Sequence, residues 1–112
     1  MKIVKKGKAN FDPNHENSEG QSYLHLYASW GELTAINVFT AAGADVNKQD
    51  KMGMTPMHCA AFNGHTKAVR ALFNAGADPH IRMVDGRTAF DLARLEKHEF
   101  LVKYMERHIL GK

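Results

Sequence analysis

The 112-residue sequence contains one cysteine, Cys59, and has no long hydrophobic run. A single cysteine can form neither an intrachain disulfide nor a thiolate metal cage, so a reducing compartment is expected. Every apolar run falls well short of the ~18 residues of a membrane-spanning helix. The first residues carry charge but precede no apolar segment, and therefore do not resemble a secretory signal. We expect a cytoplasmic protein without a membrane span, with the nucleus as the other location.

Acidic residues are absent before Asp12, although the chain has a formal net charge of +3. Four of the 15 basic residues precede that position, namely Lys2, Lys5, Lys6 and Lys8. A nucleic-acid-binding domain usually spreads its cations over one folded face. The confinement of the basic excess to a short tip therefore argues against nucleic acid as the main partner. Binding of nucleic acid or an anionic membrane by this tip is kept as an alternative function.

The familiar catalytic patterns are missing as well. The sequence has no Gly-x-Gly-x-x-Gly, Walker, His-Glu-x-x-His or Gly-x-Ser-x-Gly motif. Its seven histidines suggest metal binding, but His15, His98 and His108 have no partner at ligand spacing. His58 and Cys59 are adjacent on a predicted helix and point about 100° apart, so they cannot share a metal ion. We expect a chain that is not an enzyme and that binds no metal or cofactor.

What the sequence does contain is an internal repeat. The segments Gly43–Asn47 and Gly76–His80 read Gly-Ala-Asp-Val-Asn and Gly-Ala-Asp-Pro-His, with their aspartates 33 residues apart. The same shift carries His25 to His58, and residues 10–14 fall one period before the first of these segments. The chain is thus predicted to comprise an N-terminal partial repeat or cap over residues 1–17 and three repeats over residues 18–50, 51–83 and 84–112.

The middle repeat has the clearest local signals. Residues 50–54 are turn-like, Thr55 can cap a helix, and Pro56 lies in the first helical turn, where proline is tolerated. Gly64 can end this helix in the left-handed conformation. An apolar stripe at helical period then predicts a second helix from about residue 65 to residue 75. One such helix pair cannot bury its own apolar face, whereas stacked pairs can.

These residues resemble the ankyrin repeat. The run from Gly53 to His65 reads Gly-x-Thr-Pro-Met-His-x-Ala-Ala-x-x-Gly-His, and the family has a 33-residue period and a Thr-Pro-Leu-His-x-Ala core. The resemblance implies an all-α solenoid of stacked helix–turn–helix pairs with hairpin loops, in about three repeats plus the partial one. It also implies structural roles for the repeat-motif residues, which are His25, Thr55, Pro56, His58, Gly64 and Thr88.

The third repeat departs from this pattern. Arg94 occupies an alanine position and Lys97 a glycine position, while Asp91 replaces the repeat histidine. Thr88 and Asp91 are expected to pair as a capping box. A terminal repeat needs a polar outer face, so we expect Arg94, Lys97 and Lys103 to be exposed where the solenoid ends.

The resemblance implies a noncatalytic protein–protein interaction module that presents a rigid concave surface, as an adaptor, a scaffold or an inhibitor. In ankyrin proteins this surface consists of hairpin tips and the inner face of each first helix. The positions that match it and that we predict to bind a partner are Trp30, Lys51, Met52, Met54, Phe62, Asn63, Arg87 and Leu95. Apolar groups at such positions indicate a partner, although packing of Trp30 and Phe62 on adjacent helices is the alternative. The predicted partner is another protein, and the chain itself is expected to be a monomer or a weak homodimer.

Two further interpretations follow from the resemblance. The chain could be a regulatory or targeting ankyrin segment of a larger enzyme. Asn47 resembles the loop asparagine that intracellular dioxygenases hydroxylate in some ankyrin proteins. Mass spectrometry showing no added oxygen atom on Asn47, after co-expression with such an enzyme, would contradict this expectation.

Overall fold

The computed structural model describes residues 12–111, which form six α-helices and no strand beyond an isolated bridge between Glu16 and Ser22. The helices are α1 (Tyr23–Trp30), α2 (Leu33–Ala41), α3 (Pro56–Phe62), α4 (Thr66–Asn74), α5 (Ala89–Leu95) and α6 (Glu99–His108). The predicted all-α class is confirmed. Within these residues, no helix has the length and apolar character needed to cross a bilayer.

The helices form two layers along an elongated body of 51 × 25 × 19 Å. Helix α3 packs between α1 and α5 in the first layer, and α4 packs between α2 and α6 in the second. Each first-layer helix also packs on the second-layer helix that follows it in sequence. The stacked helix–turn–helix pairs expected from the repeat are therefore confirmed.

Small side chains allow the first-layer helices to approach closely. Five alanines are almost entirely buried there, namely Ala28, Ala60, Ala61, Ala89 and Ala93. Larger residues fill the space under the second layer, where Ile36, Val69, Leu72, Leu101 and Met105 are buried. Arg94, one period after Ala61, is exposed, as are Lys97 and Lys103. The polar outer face predicted for the third repeat is confirmed at these three positions.

Three hairpin turns precede the first-layer helices at the same 33-residue spacing. In each, a backbone N–H donates to the carbonyl four residues later, at 2.8–3.0 Å: Asn17 to Gln21, Asp50 to Met54 and Met83 to Arg87. Each turn also contains a glycine with positive φ: Gly20, Gly53 or Gly86. Neighbouring turns are joined by backbone hydrogen bonds of 3.0 Å, from Lys51 N–H to the Glu19 carbonyl and from Val84 N–H to the Met52 carbonyl.

The loops that follow the second-layer helices continue this register towards the N-terminus. The Asn47 side-chain oxygen accepts a hydrogen bond from Asp78 N–H at 2.8 Å. One period earlier, the Asn14 side-chain oxygen accepts one from Asp45 N–H at 2.7 Å. The alignment predicted for residues 10–14 thus holds for residues 12–14, whereas the rest of the predicted N-terminal cap, residues 1–11, lies outside the described residues.

Lys97 is a non-glycine residue in the left-handed region, with φ of 59°. Gly31 and Gly64 occupy the same position in the first two repeats, with φ of 70° and 71°. We expect Lys97→Gly to raise the free energy of unfolding by about 1 kcal/mol, because relief of left-handed strain exceeds the entropic cost of glycine. Urea denaturation measures this. Lys97→Ala retains the Cβ atom and should give no comparable gain; an equal gain in both variants would contradict the explanation.

Candidate functional site

Two buried histidines fix the hairpins on which several predicted partner-binding residues lie. The Nδ1 atom of His58 accepts hydrogen bonds from the backbone N–H and the hydroxyl of Thr55, at 3.1 and 2.8 Å. Its Nε2–H donates to the Arg87 carbonyl of the next hairpin at 3.0 Å. This pattern assigns the neutral tautomer with the proton on Nε2. Thr55 and His58 thus join the start of their helix to the next hairpin by hydrogen bonds.

His25 repeats the arrangement one unit earlier. Its Nδ1 accepts from the backbone N–H and the hydroxyl of Ser22, both at 3.0 Å, and its Nε2–H donates to the Met54 carbonyl at 2.7 Å. Burial lowers the pKa of both His25 and His58 below the usual 6.5, and the hydrogen bonds to the two carbonyls offset part of this effect. Both rings are therefore uncharged at neutral pH. Both nitrogens of each ring make hydrogen bonds, so neither ring has a free nitrogen for proton transfer.

The third repeat retains only the local half of this arrangement among the described residues. Thr88 N–H donates to the Asp91 carboxylate at 3.0 Å, and Asp91 N–H donates to the Thr88 hydroxyl at 3.2 Å. The predicted capping box is confirmed. An aspartate is sufficient for the capping box, because its carboxylate accepts the hydrogen bond from the N-cap backbone N–H that the histidine Nδ1 accepts in the first two repeats.

A second pair of histidines links the ends of the first-layer helices to the following repeat. His65 Nε2–H donates to the Ser29 carbonyl at 3.0 Å, and His98 Nε2–H donates to the Phe62 carbonyl at 2.9 Å. Donors and acceptors alike are separated by 33 residues. No role for His98 was predicted from the sequence. The 33-residue spacing between His65 and His98 could have indicated this role. It was hard to recognise because Lys97 replaces the glycine that normally precedes this histidine.

Cys59, the single cysteine of the chain, is buried, and burial raises the pKa of its thiol to about 11. The thiol is thus protonated at neutral pH and acts as a small packed side chain. Over residues 12–111, no group of three histidine, cysteine or acidic side chains could hold a metal ion.

The eight predicted partner-binding positions occupy the hairpins and the C-terminal ends of the first-layer helices. We call them the recognition surface: Trp30, Lys51, Met52, Met54, Phe62, Asn63, Arg87 and Leu95. Four of these side chains are large, apolar and exposed, with Trp30 at 63%, Met52 at 56%, Leu95 at 50% and Phe62 at 43%. Met54 differs, because its side chain is half-buried against the core.

Several of these side chains are held in place by their neighbours. The Trp30 ring meets Tyr27 edge-on, with centroids 5.8 Å apart, and the Asn63 amide donates to the Cys59 carbonyl at 3.0 Å. The Arg87 guanidinium lies 3.7 Å from the Asp85 carboxylate. Arg87 and Leu95 also line a shallow cleft of about 330 Å³ together with Asp91 and Arg94. The surface therefore combines apolar side chains with two cations and an amide, and the carboxylates of Asp85 and Asp91 lie beside it.

The sequence matches the model of a known protein family. A family model described as ankyrin repeats matches the chain over residues 2–83 and 24–108, with three copies of the repeat. No curated protein matches the sequence.

Proposed function

Because the chain belongs to the ankyrin repeat family, whose repeats are protein–protein interaction modules, we propose that its recognition surface binds one partner protein without catalysis. The chain would act as an adaptor, a scaffold or an inhibitor of that partner. The observation that carries the proposal is the exposure of Trp30, at 63%, together with that of Phe62 and Met52, at helix ends and on a hairpin of successive repeats. Large apolar side chains gathered on a surface favour a protein partner.

The repeat pattern does not require an aromatic side chain at either anchor position. The position of Trp30 holds Asn63 and Glu96 in the other repeats, and that of Phe62 holds Ser29 and Leu95. The fold therefore accommodates small, polar and charged side chains at these sites. Tryptophan is enriched at interaction hot spots, so its presence here supports a binding role over a packing role.

The hydrogen-bonded frame supports rigid presentation of this surface. His25 and His58 hold the carbonyls of Met54 and Arg87, and His98 holds the carbonyl of Phe62. These bonds fix the backbone beneath three residues of the recognition surface. A preformed surface loses little conformational entropy on binding, which favours affinity.

The experiment compares the intact chain with a Trp30→Ala/Phe62→Ala double variant in a pull-down from cell lysate. Mass spectrometry identifies the proteins retained, and the affinity of each purified candidate is then measured. We expect the double substitution to weaken binding of the true partner at least about tenfold, as the loss of two hot-spot anchors would. Thermal melts establish that the variant is folded.

Val38→Ala provides the control, because it removes an exposed apolar side chain from a second-layer helix that lies outside the recognition surface. Partners lost by the double variant and retained by this control would support the proposal. Equal retention by all three proteins would contradict it and move the interface elsewhere. Loss of self-association instead, measured by sedimentation, would identify the partner as a second copy of the chain.

A further inference from the structure

The second helix layer contains a groove to which the recognition surface contributes no residue. The α4 groove, as we call it, has a volume of about 470 Å³ and is lined chiefly by Leu33, His65, Lys67, Arg70, Phe100 and Tyr104. It runs across the first turns of α4 and reaches α6. The hydrogen bond from His65 to the Ser29 carbonyl fixes one wall.

The charge of this groove is of one sign. Lys67 and Arg70 line it, and none of its lining residues is acidic. The same two side chains border a second cleft of about 440 Å³ along α4, which is also free of carboxylates. Over residues 12–111, neither cation forms an ion pair, whereas Lys48 and Arg87 do. Two unpaired cations between adjoining clefts attract an anionic group.

An aromatic anchor lies beside these cations. Phe100 is 75% exposed and is the most exposed of the large apolar side chains of the described chain. The same position holds Thr34 and Lys67 in the other repeats, so the fold does not require an aromatic residue there. Tyr104, which packs on the core and lies 4.9 Å from the His108 ring, forms a fixed apolar floor next to it.

We propose that the α4 groove is a second docking site, which binds an acidic peptide segment of another protein. An aspartate or glutamate of that segment would pair with Lys67 and Arg70, and an adjacent apolar side chain would pack against Phe100 and Tyr104. The dimensions of the groove suit a few side chains of an extended peptide. Charge complementarity supplies orientation, and burial of the aromatic ring supplies most of the affinity.

Nucleic acid suits the same groove less well. Its affinity depends on many phosphate contacts, and the groove offers two cations. The neighbouring face of α6 alternates in charge along Glu99, Lys103 and Glu106, which together line a separate cleft. A polyanion laid along this layer would meet carboxylates on leaving the groove.

The test is a selection from a display library of random linear peptides against the full-length chain. We expect enrichment of peptides that pair aspartate or glutamate with an adjacent apolar residue. A fluorescently labelled copy of the strongest peptide is then titrated into each variant. We expect at least about tenfold weaker binding to Lys67→Glu/Arg70→Glu and to Phe100→Ala, each a loss of hot-spot size.

Two controls separate this site from its neighbours. Lys103→Glu reverses a charge on α6 outside the groove, and Trp30→Ala removes an anchor of the recognition surface; both should bind the peptide like the unmodified chain. Absence of acidic enrichment, or unchanged binding to Lys67→Glu/Arg70→Glu, would overturn the proposal. So would preferential loss in Trp30→Ala, which would assign the peptide to the recognition surface. Tighter binding of a single-stranded oligonucleotide that Lys67→Glu/Arg70→Glu weakens would also overturn it and assign the groove to nucleic acid.

Discussion

Replacing Gly53 with alanine is expected to lower the free energy of unfolding by about 4 kcal/mol, the largest effect of any substitution considered. Left-handed backbone accounts for about 1 to 2 kcal/mol of this, since φ is +83°. The remainder is steric. A Cβ atom on Gly53 would lie 2.7 Å from the Val84 nitrogen and 2.9 Å from the Met83 Cα. Backbone atoms cannot rotate away, so the two hairpins must separate.

That separation would weaken the hydrogen bond from Val84 N–H to the Met52 carbonyl, which joins the second and third hairpins. Urea denaturation followed by circular dichroism measures the change. Gly86→Ala is the matched control, because Gly86 lies one period later, has φ of +91° and has nothing within 4 Å of an added Cβ. It should show only the conformational cost of about 1 to 2 kcal/mol. Similar losses in both variants would contradict the steric explanation.

Replacing His58 with alanine is expected to lower the free energy of unfolding by about 3 kcal/mol. The helix cap contributes about 1 kcal/mol, the bond to the Arg87 carbonyl about 1, and the vacated volume about 1. Asp91→Ala is the control, because Asp91 occupies the same position and, within residues 12–111, its side chain makes only the local bond to the Thr88 N–H. It should cost about 1 kcal/mol. Equal losses would show that the bond between repeats contributes nothing to stability.

The same substitution has a second readout in the pH dependence of stability. Burial lowers the folded-state pKa of His25 and His58 below 6.5. As the pH falls below 6.5, the unfolded chain takes up protons that the folded chain does not, so the free energy of unfolding decreases towards the folded-state pKa. His58→Ala retains only the contribution of His25, and its stability should depend less steeply on pH over this range. An unchanged slope would mean that the pKa of His58 is the same in the folded and the unfolded chain.

Much of the fold could be predicted because the 33-residue period fixes several independent features at once. Thr55, Pro56 and Gly64 set the limits of the first helix of the middle repeat by local backbone chemistry alone. Arg94, at an alanine position of the repeat, indicated which side of the last first-layer helix is exposed. In the third repeat, Asp91 and Thr88 indicated a capping box without any tertiary information.

Other features could not be predicted because they depend on where a side chain points after packing. Met54 lies at a hairpin position that the repeat pattern leaves free, yet its side chain turns towards the core. The α4 groove is formed by Lys67, Arg70, Phe100 and Tyr104, which come from two repeats. These residues lie close together because the second-layer helices stack, and no local sequence motif predicts that proximity. The role of His98 was detectable in principle through its period.

The hydrogen bonds between units have a consequence for how the molecule can change in length. The links made by Asn14, His25, Asn47, His58, His65 and His98 each join one unit to the next. The two histidine links between the first and second repeats each have a counterpart between the second and third, supplied by a histidine 33 residues later. A duplicate of residues 51–83 inserted after residue 83 would present equivalent histidines and carbonyls on both of its sides. Duplication or deletion of whole units is therefore a route by which such a gene could lengthen or shorten its product while preserving the histidine links at each junction.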